Sequence, residues 1–203
     1  MKTRRLAPSV NAGSMADIAF LLLIFFLVST TIATDQGISR KLPPKLNDTP
    51  PITIRERNIF RVELNQLNEL LVEGELVSLE DLKDKAISFL DNGGGVSGEA
   101  CSYCRGSKGI TSSDNPKKAV ISLQSSRETN YETYIAVQDQ LVSAYTELRN
   151  REAMRLYGVL FTTMEENLKS VHYDGDKAKL RERIKHIQMM YPEKISEAET
   201  KME

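Results

Sequence analysis

The sequence has no tryptophan, only two cysteines and two histidines, and few other aromatic residues. So little cysteine excludes a disulfide-rich secreted scaffold. The two histidines, His172 and His186, lie far in sequence from Cys101 and Cys104, so the second half of a zinc site is missing. An excess of one charge is also absent, because 27 Lys and Arg residues balance 28 Asp and Glu residues. We therefore expect no metal, no cofactor and no nucleic acid as a partner.

Catalytic patterns are missing as well. The sequence offers no Ser/His/Asp set, no metal-spaced His/Asp/Glu cluster and no phosphate-binding loop. Gly93, Gly95 and Gly98 spell GxGxxG, but a dinucleotide-binding fingerprint needs a strand before it, and here a predicted helix precedes it. We predict a binding module that is not an enzyme and has no catalytic residue. Its exposed strand edges could accept an extended peptide by strand addition.

The sequence has one long apolar run, from Met15 to Ala33. As a helix this run would extend about 28 Å, close to the hydrocarbon thickness of a bilayer. We predict a transmembrane helix over residues 15–34 and a cytoplasmic tail over residues 1–14. Basic residues flank the run on both sides, and their count leans toward a cytoplasmic N-terminus.

Asp17 lies near the start of this apolar run. A charged group on a span costs about 2.5–3.5 kcal/mol at its centre and less near an end, so a simple anchor would do better with Ala or Leu. A carboxylate held against a partner helix or a narrow water path can take and release protons. The alternative is a solvated carboxylate at the headgroup boundary. On a helix Asp17 shares a face with residues that we predict to pack against partner helices or line a channel, namely Phe20, Leu21, Ile24 and Thr31.

A cleavable signal peptide would have the same basic start, apolar middle and small residues after Val28. Two features argue against this alternative. The apolar run begins with a carboxylate, and a polar segment separates Arg5 from the run.

Residues 35–51 contain four prolines and one glycine, which favours an extended linker. Residues 52–203 are long enough for one α+β domain. Hydrophobic periodicity and capping residues (Ser78 with Asp81, Thr129 with Glu132) predict its elements. They are a strand over 60–64, a second strand over 70–77, a helix over 79–90, a strand over 119–124, a helix from about 129 to 157, helices over 164–172 and 176–191, and a short edge strand over 195–198.

Residues 91–117 form a predicted loop rich in Gly, Ser and Asn, which contains Cys101 and Cys104 in a CxxC pattern. This pattern has three common interpretations: a disulfide, half of a zinc site, or a redox pair. The redox pair lacks a preceding strand and a helix that starts at the first cysteine. A local disulfide requires an oxidising compartment.

In this order the features resemble the ExbD/TolR family of energy-transducing membrane subunits. The family has a short basic tail, one span with an Asp near its cytoplasmic end, a Pro-bearing linker and a small periplasmic α/β domain. Its pattern before the span runs Asn, Thr-Pro, and then Asp six positions after the Asn. Asn11 and Asp17 keep this spacing, whereas Gly13 and Ser14 stand where Thr and Pro would be. We therefore add Asn11 and Ser14 to the predicted packing or channel-lining residues.

The resemblance implies a single-pass inner-membrane protein with a cytoplasmic N-terminus, working as a dimer in a complex driven by the proton motive force. An ExbB-like multi-span protein would surround the helix, a TonB-like protein would be driven, and Asp17 would carry the proton. The domain would be a small periplasmic α/β sandwich with extra C-terminal helices. The loop over 91–117 would be an insertion and residues 159–203 a helical extension.

Three alternatives stay open at this point. The first is a TolR-like subunit for envelope integrity, with the same chemistry and a different client. The second is a signal-anchored periplasmic adaptor in which Asp17 has no proton role. The third is a secreted CxxC redox protein whose apolar segment is cleaved.

Overall fold

The structure is a computed structural model that describes residues 12–29, 54–96 and 99–198. The chain divides into two units, residues 1–49 and 50–203. The described part of the first unit is one helix, α1 (Ala12–Ser29). Among the described residues, no helix combines the length and the apolarity that crossing a bilayer requires. The helix predicted over residues 15–34 coincides with α1 as far as Ser29, and its last residues, 30–34, lie outside the described part.

The described residues of the second unit form an α+β fold with one mixed sheet. Its strands are β1 (Ile59–Leu64), β2 (Leu70–Val72), β3 (Glu75–Leu76), β4 (Val120–Ser125) and β5 (Ile195–Ala198). Its helices are α2 (Leu79–Leu90), α3 (Tyr131–Tyr157), α4 (Phe161–Lys169) and α5 (Lys177–Met190), and a short 3-10 turn (Glu56–Asn58) precedes β1.

The strand order is β3-β2-β1-β4-β5. Sequential strands β1, β2 and β3 pair antiparallel through short turns, whereas β1, β4 and β5 run parallel. Parallel neighbours need long connections. The connection from β1 to β4 includes α2, and the connection from β4 to β5 includes α3, α4 and α5. Because of this topology, the amino ends of β1, β4 and β5 lie at the same end of the sheet.

The core lies between one face of the sheet and the helices. In β1 the buried residues Phe60, Val62 and Leu64 alternate with exposed Arg61 and Glu63, which confirms the predicted half-buried strand. Helices α2 and α3 pack beside each other and contribute most of the helical core. Their fully buried side chains include Leu82, Ala86, Leu90, Val137, Leu141, Ala144, Tyr145 and Leu148.

The helix ends test the predicted caps. Ser78 caps α2 as predicted, since its hydroxyl accepts a hydrogen bond from the backbone N–H of Asp81. The prediction for α3 is wrong, because Asn130 is the cap and accepts from the N–H of Glu132. The Thr129 hydroxyl instead donates to the backbone oxygen of Asn65 at the end of β1. A long-range contact has therefore displaced the local cap.

The C-terminal segment forms two helices and an edge strand. Helix α4 begins at Phe161, earlier than predicted, because buried Phe161 and Met164 attach its first turn to the core. Helix α5 confirms a sequence prediction, in which the helical spacing of Leu180, Ile184 and Ile187 places them on one face, since all three are buried. The predicted edge strand is also confirmed as β5, which pairs with β4.

Glu165 on α4 gives a pH-dependent prediction. Burial raises the pKa of its carboxyl group, and nearby Arg149 and Lys169 offset part of the rise. The folded state therefore binds this proton more tightly than the unfolded state, so the charged form costs stability at neutral pH and the cost vanishes in acid. We expect Glu165→Gln to raise the melting temperature at pH 7, with a gain that shrinks to nothing below about pH 4. Thermal unfolding followed by circular dichroism measures both.

Glu166→Gln is the matched control, because Glu166 is the exposed neighbour on the same helix. An equal gain from Glu166→Gln would contradict the role of burial. So would a gain from Glu165→Gln that grows as the pH falls.

Candidate functional site

Asp17 lies in the first half of α1, and one helical face carries it together with predicted packing residues. Ser14, Leu21 and Ile24 stand three, four and seven positions from Asp17, and Phe20 lies beside them. The helix thus places these predicted residues together. Asn11 and Thr31, the remaining predicted members, lie outside the described residues.

The side chains of α1 described over residues 12–26 are exposed in the single chain. They include large apolar groups on every side of the helix. These are Met15, Ile18, Phe20, Leu21, Leu22, Leu23, Ile24, Phe25 and Phe26. A helix that is apolar all round is stable where it is covered by other helices or by lipid. Asp17 is the one ionisable group of α1, so its carboxylate would lie in whatever covers the helix.

A disulfide closes the CxxC segment in the second unit, between Cys101 and Cys104. Both cysteines are buried. Gly93 lies against this disulfide with a positive φ of 67°, and a Cβ atom at this position would stand 2.7 Å from the Cβ of Cys104. The loop therefore requires glycine here for two reasons, the left-handed backbone and the close contact. Gly93 therefore serves packing within the loop, and the loop follows helix α2 rather than a strand, in agreement with the rejection of a dinucleotide fingerprint. Gly98 lies outside the described residues.

We expect Gly93→Ala to lower the free energy of unfolding by about 2 kcal/mol or more, because backbone strain and the clash with the disulfide add together. Gly158 also has a positive φ, 69°, but a methyl group added to it would meet no atom within 4 Å. Gly158→Ala should therefore cost about 1 kcal/mol, the strain alone. Urea unfolding measures both variants. A loss for Gly93→Ala no larger than that for Gly158→Ala would refute the packing argument.

Asn92 organises the rest of the loop. Its buried amide donates to the backbone oxygens of Gly109 and Ser113, at 2.9 and 2.8 Å. Its side-chain oxygen accepts from the Gly109 N–H at 2.9 Å and from the Ser107 hydroxyl at 3.2 Å. One side chain thus fulfils its hydrogen bonds entirely within the loop, so a segment that the sequence indicates only as glycine-rich has a defined structure.

Asp91 and Arg151 form a two-pronged ion pair in the second unit. The Arg151 guanidinium donates to both oxygens of Asp91, at 2.7 and 2.8 Å. The Tyr191 hydroxyl donates to the same carboxylate at 2.6 Å. The backbone N–H of Arg105 adds a fourth hydrogen bond at 3.2 Å. Arg105 belongs to the loop over 91–117 that contains the disulfide, which we call the disulfide loop. This Asp91 cluster joins α2, the disulfide loop, α3 and the residue that follows α5.

Further charges extend the cluster along α3. Glu152 is fully buried between Arg151 and Arg155, and its oxygens lie 3.2 and 2.7 Å from their nitrogens. Arg149 donates twice to the backbone oxygen of Tyr191, at 3.0 and 2.9 Å, and so holds the end of α5. The sequence contained a signal for this arrangement, since Arg149 and Glu152 continue the apolar stripe of α3.

Burial and charge set the protonation of the cluster. Hydrogen bonding to Asp91 raises the pKa of Arg151 above its ordinary value, despite partial burial. Tyr103 lies beside the cluster and donates to the backbone oxygen of Met190 at 2.7 Å. Burial, with the nearby carboxylates of Glu152 and Asp91, raises the pKa of Tyr103 to about 12. Burial and the bond to Asp91 likewise raise the pKa of Tyr191. Both phenols therefore stay protonated donors at physiological pH.

Comparison with models of protein families shows to which family this chain belongs. The family model described as "Biopolymer transport protein ExbD/TolR" matches residues 3–150, well over half of the sequence. The chain belongs to the ExbD/TolR family. A search among curated proteins found no match.

The family match confirms the resemblance inferred from sequence. It includes α1 with Asp17, the four strands β1 to β4, helix α2 and most of α3. ExbD/TolR proteins generally work with ExbB/TolQ-type and TonB/TolA-type partners. The match ends at residue 150, so Arg151, α4, α5 and β5 lie beyond it.

Proposed function

We propose that the chain is an ExbD-like subunit of an inner-membrane complex that uses the proton motive force to drive transport across the outer membrane. In this proposal residues 15–34 span the membrane and Asp17 carries the proton. An ExbB-like multi-span protein surrounds the helix, two copies of the chain work as a dimer, and a TonB-like protein receives the motion. The chain itself has no enzyme activity.

The observation that carries the proposal is one carboxylate on a helix that is otherwise apolar all round. Placing a charge on a span costs about 2.5–3.5 kcal/mol near its centre. Moving one elementary charge through 100 mV releases about 2.3 kcal/mol, which is enough to bias a conformational step. A carboxylate lowers the stability of a simple membrane anchor but suits a proton carrier, so its presence on α1 favours the proton-carrying role.

The exposed apolar side chains of α1 argue for partner helices. One helix with one carboxylate does not form a proton path, because a path needs polar groups on both sides of the carrier. Partner helices would cover Phe20, Leu21 and Ile24 and would form the other side of a proton path at Asp17. Family membership favours an ExbB/TolQ-type protein as their source.

The disulfide supports the proposed orientation. Disulfides persist in oxidising compartments such as the bacterial periplasm and are rare in the cytosol. The bonded pair Cys101 and Cys104 therefore favours a periplasmic second unit. The basic residues Lys2, Arg4 and Arg5 then lie on the cytoplasmic side, as the positive-inside rule prefers.

Strand addition offers a way for the second unit to bind a driven partner. Within the described residues, β3 and β5 are the outer strands of the sheet. An extended segment of a TonB-like protein could pair with one of these edges through main-chain hydrogen bonds. Proline at an outward-facing edge position would remove a donor and weaken such binding.

Three measurements on the full chain in a Gram-negative host test the proposal. A tagged chain should remain in the membrane fraction with residues 15–33 still attached by mass spectrometry, which a cleaved segment would contradict. It should co-purify with a multi-span protein, which a solitary adaptor would not. Deletion should abolish growth that depends on active outer-membrane uptake. Normal uptake with new sensitivity to detergents would instead assign a TolR-like role.

A further inference from the structure

Four basic residues lie close together at the end of the sheet where the parallel strands β1, β4 and β5 begin. Arg55 lies just before β1, Lys117 and Lys118 lie just before β4, and Lys194 directly precedes β5. Their separation in sequence is large, but the parallel pairing places the starts of these strands side by side. The backbone bond from the Ile121 N–H to the Lys194 oxygen, at 2.9 Å, fixes this neighbourhood.

These residues surround a pocket of 410 Å³. We call it the strand-start pocket, and it is lined by Ile54, Arg55, Lys117, Lys118, Val120 and Lys194, with Asn58 at its side. Its volume falls within the range of about 300–1,000 Å³ that is usual for small-ligand sites. Ile54 and Val120 give the pocket apolar walls, and the basic side chains add positive charge to its lining.

The charges of the pocket are not balanced within the described residues. Glu99 pairs with Lys118 at 2.5 Å and with Arg55 at 3.6 Å. The hydrogen bond and charge of Lys118 hold the pKa of the Glu99 carboxyl below its ordinary value. The other nearby carboxylate, Asp114, is buried and pairs with Arg57 and, at 3.7 Å, with Arg55.

Lys117 and Lys194 are the two cations left over. In the part of the chain that the structure describes, neither ammonium group lies within ion-pair distance of a carboxylate, and the Lys194 ammonium group donates to the backbone oxygen of Lys117. Both side chains are exposed. The pocket therefore combines an apolar interior with uncompensated positive charge at its rim.

We propose that the strand-start pocket binds the C-terminal end of a peptide, with the terminal apolar side chain inside and the free carboxylate between Lys117 and Lys194. Lysine ammonium groups act as compact point charges, so a single carboxylate satisfies them without the fork geometry that arginine offers. A concave pocket of this size accommodates one side chain, whereas the flat surface of a membrane would contact only its rim. Negative charge and an apolar group on one ligand match the two properties of the pocket together.

The probe is a short fluorescein-labelled peptide that ends in leucine with a free carboxylate. Its fluorescence anisotropy is titrated with the full chain in a nonionic detergent. We expect saturable binding that weakens as salt is added, since the ion pairs are exposed to solvent. The same peptide with an amidated C-terminus should bind at least about fivefold more weakly, because it lacks the charge. A peptide ending in glycine should also bind more weakly, because it lacks the apolar group.

Variants of the chain locate the binding. The double variant Lys117→Gln/Lys194→Gln should weaken binding about tenfold. Glu99→Gln should strengthen binding about threefold, because it removes a negative charge near the bound carboxylate and releases Lys118 and Arg55 from their ion pairs. The matched control is Lys179→Gln/Lys185→Gln, which makes the same charge change at exposed positions of α5. Far-UV circular dichroism must be unchanged in every variant that is compared.

Any of four results would overturn the proposal: no saturable binding of the leucine peptide, equal binding of the amidated peptide, equal weakening by the control pair, or tighter binding after the loss of Lys117 and Lys194. Vesicles of phosphatidylglycerol serve as a second probe. Binding to these vesicles that depends on Lys117 and Lys194, without peptide binding, would assign the pocket to lipid phosphates and overturn the peptide proposal. These readouts do not involve Asp17, so they are independent of the proposed proton role.

Discussion

Asp17→Asn should abolish growth on a substrate that requires active outer-membrane uptake, down to the level of a strain without the chain. Asparagine keeps the size and the polarity of aspartate but cannot bind and release a proton. Insertion into the membrane should not suffer, because a neutral amide is cheaper than a carboxylate on a span. The variant should therefore reach the membrane at the wild-type level and still co-purify with the multi-span partner. Growth rate and membrane abundance are measured in the same cultures.

Asp17→Glu is the control for this experiment, because it keeps a titratable group and moves it by one methylene. We expect partial uptake from this variant. Normal uptake with Asp17→Asn would exclude the proton role and leave a single-span adaptor. Loss of both uptake and co-purification would show instead that Asp17 acts in assembly.

Arg151→Met should lower the free energy of unfolding of the second unit by about 3 kcal/mol. Removing one partner of a buried ion pair costs about 3–5 kcal/mol, because the other charge is left uncompensated. The Asp91 side chain is 6% exposed and that of Arg151 is 25% exposed, so we expect the lower end of this range. Urea unfolding of the full chain in detergent, followed by circular dichroism, measures the loss.

A matched surface pair separates burial from charge. Lys83 and Glu147 join α2 to α3 at 2.6 Å but are more exposed, so Lys83→Met should cost less than about 1 kcal/mol. The double variant Asp91→Asn/Arg151→Met should lose less than the sum of its single variants, since the two residues share one interaction. Equal losses for Arg151→Met and Lys83→Met would contradict the central role of the Asp91 cluster.

The Asp91 cluster also explains how residues beyond the family match attach to the domain. Tyr191 reaches Asp91 through its hydroxyl and Arg149 through its backbone oxygen. Its position directly after α5 places β5 a few residues further on. Arg151 also donates to the Tyr191 hydroxyl, at 2.9 Å. Arg151→Met should therefore weaken this attachment and make the segment after α5 sensitive to limited proteolysis before the rest of the domain unfolds.

Local patterns in the sequence predicted most of the elements. The alternation in β1 and the apolar faces of α2, α3 and α5 depend on neighbours two to four positions apart, and most of these positions are buried. Leu79 is an exception, because the sequence predicts it on the apolar face of α2 and the structure leaves it exposed. The one wrong cap, Thr129 in place of Asn130, has a tertiary cause, because the Thr129 hydroxyl bonds the end of β1. Hydrophobic periodicity contains no information about such a long-range hydrogen bond.

The sequence by itself determined α1 and its single carboxylate, since apolarity over consecutive residues needs no partner to be recognised. It also determined the family and most elements of the domain. The single strand predicted over 70–77 is wrong, because Gly74, with a φ of 83°, turns the chain and separates β2 from β3. Only the tertiary structure decided which distant charges meet: Arg151 with Asp91, and Arg55 with Lys118 and Lys194. Coulombic and hydrogen-bonding partners are chosen by strand order and helix packing, which bring together residues that no local spacing relates.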